Sequence, residues 1–392
     1  MLLSISVLLL AGAFAAYLCS KVRVPRIVGM LLVGILIGPQ VLNVLSPSLL
    51  AISADIRKIA LVIILIRAGL SLDLKDLKAV GRPSVLLAFL PATFEILGFV
   101  LLAPKLLGVS RMDAALMGAV LCAVSPAVVV PKMVSLIDRK LGTNKSIPQM
   151  ILAGASLDDV YAIVVFTAIL GLEQGQKISF MTIASVPISI VTGIGFGVLI
   201  GLCLSKLFEH AQKMGNPMKV LVIFATGLLV TAFEDLLPAS VPFSGLLAVM
   251  SMCCIIGMRC PVDKRSVLSG QFSRIWMFGE IFLFVLLGAA VNISATVNVG
   301  PIAIAVILLA LVVRSVGSAL CVLGTNLNGT ERLFCVFAYL PKATVQAAIG
   351  GIPLALGLGC GDIVLSVSVL SILITAPLGA FAMDLTEKRF LS

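Results

Sequence analysis

Hydrophobic residues follow one another along this chain in long blocks, punctuated at short intervals by charged or Pro/Gly-rich stretches. A helix rises ~1.5 Å per residue, so about 20 apolar residues cross the hydrocarbon core of a bilayer. Thirteen blocks approach or exceed that length: about 1–20, 25–45, 56–72, 83–107, 112–137, 147–171, 178–208, 219–235, 241–258, 274–292, 299–323, 331–357 and 362–383. No long polar insert separates them. The pattern predicts one all-α, polytopic membrane domain over residues 1–392, with short loops and no soluble module. Within the first block, Ala13-Phe14-Ala15 resembles a cleavage site, but no positive charge precedes it while Lys21, Arg23 and Arg26 follow, the reverse of a secretory leader. The block is therefore expected to stay as a helix with its N-terminus outside.

Composition narrows the class. Of 392 residues, 60% are hydrophobic and 12% charged, where a soluble domain carries about 25% charged residues. That excludes a soluble enzyme, a nucleic-acid binder and a disordered chain. The net charge of +10 is explained by loops. Lys75, Lys78, Arg82, Arg139, Lys140, Lys145, Lys206, Lys213, Lys219, Lys264 and Arg265 follow odd-numbered blocks. The loops after even-numbered blocks hold only Arg57, Lys58, Lys105, Arg111 and Lys177. Positive residues gather on the cytoplasmic side, which predicts an N-outside, C-inside topology. The nine Cys show no metal-ligand spacing and the single His is His210, so neither a disulfide framework nor a zinc site is expected.

Two blocks are interrupted near their middles. Block five contains Val124-Ser125-Pro126-Ala127, with Pro131 beyond; block twelve contains Leu340-Pro341-Lys342-Ala343-Thr344, followed by Gly350-Gly351 and Pro353. Proline removes a backbone donor and clashes with the preceding turn. Either interruption alone reads equally well as an ordinary kink. The blocks are seven apart, however, so they cross in opposite directions. If blocks one to six repeat as eight to thirteen, the two breaks superpose by inversion. Paired discontinuous helices in an inverted-topology repeat are the sequence pointer to a secondary transporter.

Ionisable residues inside apolar blocks cost ~2.5–3.5 kcal/mol each even on lenient insertion scales, so they face a cavity or a partner. Asp158 and Asp159 lie mid-block, and neighbours on a helix point about 100° apart, so one can face an ion while the other meets an adjoining helix. Glu95 and Arg314 lie inside blocks four and eleven, again seven apart, and are expected to form an ion pair, because arginine cannot discharge itself. Lys342, beside Pro341, is expected to balance the half-helix ends. Arg67 reads as an interfacial anchor and Glu280, about six residues into its block, as too shallow for the site.

Ala155-Ser156-Leu157-Asp158-Asp159 resembles the paired-aspartate motif of monovalent cation:proton antiporters. Ala123-Val124-Ser125-Pro126-Ala127-Val128-Val129-Val130-Pro131, Leu340-Pro341-Lys342-Ala343-Thr344-Val345-Gln346-Ala347-Ala348 and Ile66-Arg67-Ala68-Gly69-Leu70 are similar to the NHA-type sodium/proton branch, and the resemblance covers essentially the whole chain. It implies an antiporter fold of thirteen transmembrane helices whose two discontinuous helices cross at the ion site. It also implies core helices over about 83–171 and 299–383, and dimerisation helices over about 1–72 and 178–292. In such a fold Asp159 binds cation or proton with Asp158 beside it, and Val124, Ser125, Lys342 and Thr344 support the site at the breaks. Related electrogenic members carry Lys where Arg314 stands; Arg with Glu95 fits the NHA-type pattern. A homodimer through blocks one and two is expected, where Gly34 and Gly38 form a small-xxx-small pair.

The expected function is exchange of Na⁺ (or Li⁺) for H⁺ by alternating access, the two ions competing for Asp159. An aspartate of ordinary pKa ~3.9 stays ionised in the cytosol; burial disfavours the bare charge, and Arg314 neutralised by Glu95 leaves Asp159 able to hold a proton. No cofactor is expected, no metal beyond the transported ion, and no nucleic acid; lipid is the surrounding partner and a bacterial inner membrane the expected location. A K⁺/H⁺ antiporter or K⁺ efflux protein of the same fold is the alternative, and a sodium-coupled organic-anion symporter a more remote one. An intramembrane aspartyl enzyme is disfavoured, since its two carboxylates must meet from different helices.

Overall fold

The computed structural model describes residues 1–22, 24–71, 81–173, 180–211, 214–237 and 243–391. Arg23, Leu72, Asp73, Lys75, Lys78, Lys177 and Lys213 lie outside the described residues. All regular structure among the described residues is helical, and nine helices there are long and apolar enough to cross a membrane.

The chain divides into two compact units, one comprising Met1–Ala54, Leu74–Leu170 and Ile281–Ser392, the other Asp55–Asp73 and Gly171–Glu280. In the first unit, α1 (Leu2–Lys21) packs on α2 (Arg26–Ile37). The block predicted over 25–45 stops early because Pro39 follows Gly38, and the residue before a proline leaves the helical region. After the short α3 (Pro47–Ala51) and α4 (Ser53–Ser71), the fourth block is two helices, α5 (Arg82–Leu87) and α6 (Leu90–Leu106). Pro91 accounts for the step: it donates no hydrogen bond and its ring opposes the carbonyl of Leu87.

Block five is α7 (Arg111–Leu121) and α8 (Pro126–Asp138), separated by extended chain. Ser110 and Asp113 form a reciprocal cap that fixes the start of α7. Block six is α9 (Ile147–Glu173), which is uninterrupted. The second unit contains α4 from Asp55 onward, α10 (Phe180–His210), α11 (Asn216–Leu236), α12 (Gly245–Arg259) and the first part of α13 (Val262–Ala289). Gly197 lets α10 and α12 approach closely, since a methyl group there would overlap the Ala248 carbonyl. The first unit resumes with the end of α13 and α14 (Ile293–Cys321). Block twelve becomes α15 (Gly329–Ala338), α16 (Thr344–Ile349) and α17 (Ile352–Ala355), and the last helix is α18 (Gly361–Phe390).

Two features differ from expectation. Helix α13 begins at Val262 rather than near 274; Lys264, Arg265 and Gln271 are good helix formers, and apolarity marks the membrane, not the helix end. Glu280 lies well inside this longer helix and is buried. Gly34 and Gly38, read as a dimer motif, are used within the chain: they face the backbone of Val285 and Ala289 on α13. The missing side chains let these two helices touch.

Substitution of Gly34 by Val forces that contact apart. Overpacking of this kind costs about 1–3 kcal/mol, expected as a lowered thermal unfolding midpoint in detergent; an unchanged midpoint would remove Gly34 from the list of packing positions.

Candidate ion site

The interruptions of α7–α8 and α15–α16 meet in the first unit and bond to each other. Ser125 N–H donates to the Pro341 carbonyl at 2.8 Å. Gln346 Nε2 donates to the carbonyls of Ala123 at 2.8 Å and Leu121 at 3.2 Å, while its Oε1 accepts from Ala343 N–H at 2.8 Å. Lys342 N–H donates to Thr375 Oγ1 on α18 at 2.9 Å. Backbone freed by the breaks has no water to turn to inside a bilayer, so it must be satisfied by protein. Neither Gln346 nor Thr375 was read as a site residue from the sequence; the signal was available in a polar amide two residues after Thr344 and a hydroxyl in an apolar block.

The two aspartates of α9 divide as their 100° separation requires. Asp158 is fully buried; its Oδ2 accepts from Val124 N–H at 2.6 Å and from Arg314 Nη2 at 3.2 Å. Asp159 is buried, and among the described residues its Oδ1 has no hydrogen-bond partner. Asp158 is tied to the break of α7–α8; Asp159 is not.

Arg314, on α14, has no exposed surface. Nη1 donates to Glu95 Oε2 at 2.9 Å and to the Cys122 carbonyl, and Nε donates to the Tyr339 carbonyl at 2.7 Å. The guanidinium also lies 5.7 Å from the centre of the Tyr339 ring. One side chain thus bridges both interruptions, α6 and α9. Gly98 against Ala310, and Gly317 against Phe94, bring α6 and α14 close enough for the Glu95 contact. Lys342 Nζ reaches Glu95 Oε2, whereas the sequence assigned Lys342 to the half-helix ends.

Buried acids and bases close on themselves: Glu95 and Asp158 stand against Arg314 and Lys342, two on each side. Asp159 is the carboxylate left over. Ser125 Oγ, Thr344 Oγ1 and Asp158 Oδ1 are likewise buried without hydrogen-bond partners among the described residues. Such oxygens suit a hard monovalent or oxygen-preferring cation rather than a soft metal. Arg67 and Glu280 belong to the other unit, where they interact electrostatically and Arg67 lies 5.9 Å from the Trp276 ring centre. His210 is exposed, with Nδ1 at 2.9 Å from the Lys206 carbonyl.

Interrupted helices bonded break to break around buried acids and bases, within an apolar helical body, define a membrane transporter of the antiporter fold. The chain belongs to the family described as "Sodium/hydrogen exchanger, transmembrane", whose model matches residues 5–383. It is 35% identical over 379 residues to sodium/hydrogen exchanger 9B2 of Homo sapiens, covering 94% of this chain and 70% of that protein. The Mus musculus protein of the same name is 33% identical over 377 residues, covering 94% and 68%. In fold, the chain is similar to the sodium proton antiporter MjNhaP1 of Methanocaldococcus jannaschii, at TM-score 0.83 and 22% identity over 98% of this chain and 97% of that one.

Removing one charge from this network strands another. Glu95→Gln leaves Arg314 and Lys342 facing a neutral amide, and breaking a buried pair this way costs about 3–5 kcal/mol. Combining it with Lys342→Met restores the balance, so the double variant is expected to lose less thermal stability than the two single losses added together. Simple additivity would mean that Lys342 and Glu95 are not energetically coupled.

Proposed function

We infer that the chain exchanges Na⁺ (or Li⁺) for H⁺ by alternating access, with the two ions taking turns on Asp159. The observation that carries this reading is the charge balance at the site. With Asp159 neutral, the buried cluster is balanced; with Asp159 ionised it carries one uncompensated negative charge. Desolvation disfavours leaving that charge bare, so either a proton or a monovalent cation completes the site. Na⁺ displaces the proton by supplying the same unit charge, with hydroxyl and backbone oxygens of the breaks, Ser125 and Thr344 among them, replacing its water. Family membership and the sodium/hydrogen exchanger names of the relatives support the same ions.

Asp158 has a different part in this reading. Its carboxylate neutralises Arg314 and holds the Val124 amide, which supports a structural charge rather than a second exchanging site. Exchange is then one for one. The thirteen apolar segments are taken as thirteen passes in an inverted repeat, N-terminus outside and C-terminus cytoplasmic, in a bacterial inner membrane. The protein works as a homodimer and catalyses no covalent chemistry. The resemblance and the basic-loop distribution support these points.

Two measurements check the reading. Asp159→Asn is expected to abolish Na⁺-driven proton movement in everted vesicles, and normal exchange by this variant would end the assignment. One-for-one exchange moves no net charge, so a sodium gradient across a solid-supported membrane is expected to give no transport current. A current that reverses with the gradient would require a second exchanging proton.

A further inference from the structure

The second unit contains a cavity lined in part by charged side chains, with no part in the ion site. Its volume is about 320 Å³, and it lies where the C-terminal ends of α10 and α12 meet the N-terminal ends of α11 and α13. Ser205, Glu209, Asn216, Lys219, Arg259 and Lys264 are in its wall. Three cations thus face one carboxylate. Lys219 is 9% exposed and its Nζ sits 5.6 Å from the Phe208 ring centre. Among the described residues, Lys219, Arg259 and Lys264 make no ion pair.

A buried ammonium whose neighbour is an aromatic face, rather than a carboxylate, is an incomplete arrangement, because a buried charge without an opposite charge is costly. The remaining polar wall is rich in donors. Two helix N-termini, those of α11 and α13, add backbone N–H groups to the same end of the unit. Positive charge and convergent donors match a phosphate, whose oxygens accept several charge-assisted hydrogen bonds at once. A cavity near 300 Å³ is at the small end of ligand sites, enough for a phosphate and part of the group that carries it.

We propose that this cavity binds a phosphate-bearing anion through Lys219, Arg259 and Lys264. The anion joins the ends of four helices and supplies the negative charge that the wall lacks. The basic-residue distribution assigns these helix ends to the cytoplasmic face, where anionic lipid concentrates around clustered Lys and Arg. Two sources carry the same chemistry: the headgroup of an anionic phospholipid, and soluble phosphate.

The test uses the purified full chain in detergent, with all anions added as N-methyl-D-glucamine salts so that no alkali cation varies. Inorganic phosphate is compared with chloride at equal ionic strength, and dioleoylphosphatidylglycerol with dioleoylphosphatidylcholine. The readouts are the thermal midpoint and the rate at which a maleimide labels Cys260, a partly exposed thiol in the cavity wall, followed on its own peptide. A bound phosphate is expected to raise the midpoint and slow Cys260 labelling. Lys219→Gln and Arg259→Gln are each expected to weaken the effect about tenfold, about 1.4 kcal/mol. A response to phosphatidylglycerol alone identifies lipid, and a response to inorganic phosphate at equal potency identifies a soluble ligand. Equal effects of chloride and phosphatidylcholine, or variants that respond as the parent does, would overturn the proposal. Should the variants not fold, labelling of the unsubstituted protein decides: no protection of Cys260 by either phosphate source refutes the site.

Discussion

A guanidinium that cannot lose its proton, placed where water cannot follow, has to be surrounded by groups that stay with it. Arg314 meets that requirement with two carboxylates, two backbone carbonyls and an aromatic face. Those groups come from four structural features: Glu95 of α6, Asp158 of α9, and the interruption of each broken helix, Tyr339 supplying both a carbonyl and the aromatic face. The carbonyls are free to accept only because the helices are broken, and the breaks are tolerable only because such donors reach them. Helix interruption and buried charge therefore stabilise each other. Neither could persist alone in an apolar body, where an unpartnered polar group costs several kcal/mol.

In the proposed reading, the same closure separates structural charges from the exchangeable one. Glu95 receives both cations, so its carboxylate is fixed by Arg314 and Lys342 together. Lys342 is held at both ends, its amide on Thr375 and its ammonium on Glu95. Gln346 fastens the two interruptions through both atoms of its amide. Among the described residues, oxygens of Asp159, Asp158, Ser125 and Thr344 are in the set that remains without a hydrogen-bond partner. A site that must release its ion on every cycle is best built from ligands that no permanent contact has claimed.

Much of this was legible because charge inside an apolar block is conspicuous. Glu95, Asp158, Asp159, Arg314 and Lys342 stand out for that reason, and Pro126 and Pro341 mark the breaks. Partner choice was harder to read. Lys342 lies next to a break in sequence, but its long side chain reaches Glu95, more than two hundred positions away in the chain. Gln346 is one amide among neutral neighbours, and only the bond between the breaks reveals its use. Gly34 and Gly38 show a different limit: spacing announces a close helix contact but does not say whether the partner is another chain or, as here, α13. The start of α13 was misjudged because its polar first turns read as loop, although helix continues through them.

The division between Asp158 and Asp159 follows from the bonds they make. Protonating Asp158 would remove the charge facing Arg314 Nη2 and weaken the acceptor of the Val124 amide, both inside the dry network. A proton arriving there on every cycle would disturb the geometry of the α7–α8 interruption each time. At Asp159 the gain or loss of a proton changes no hydrogen bond among the described residues that holds a helix in place, since its free oxygen supports none there. In the proposed reading, adjacent residues of identical chemistry take unlike tasks because they point about 100° apart: one carboxylate stabilises the scaffold of the site, and the other is left to the ions.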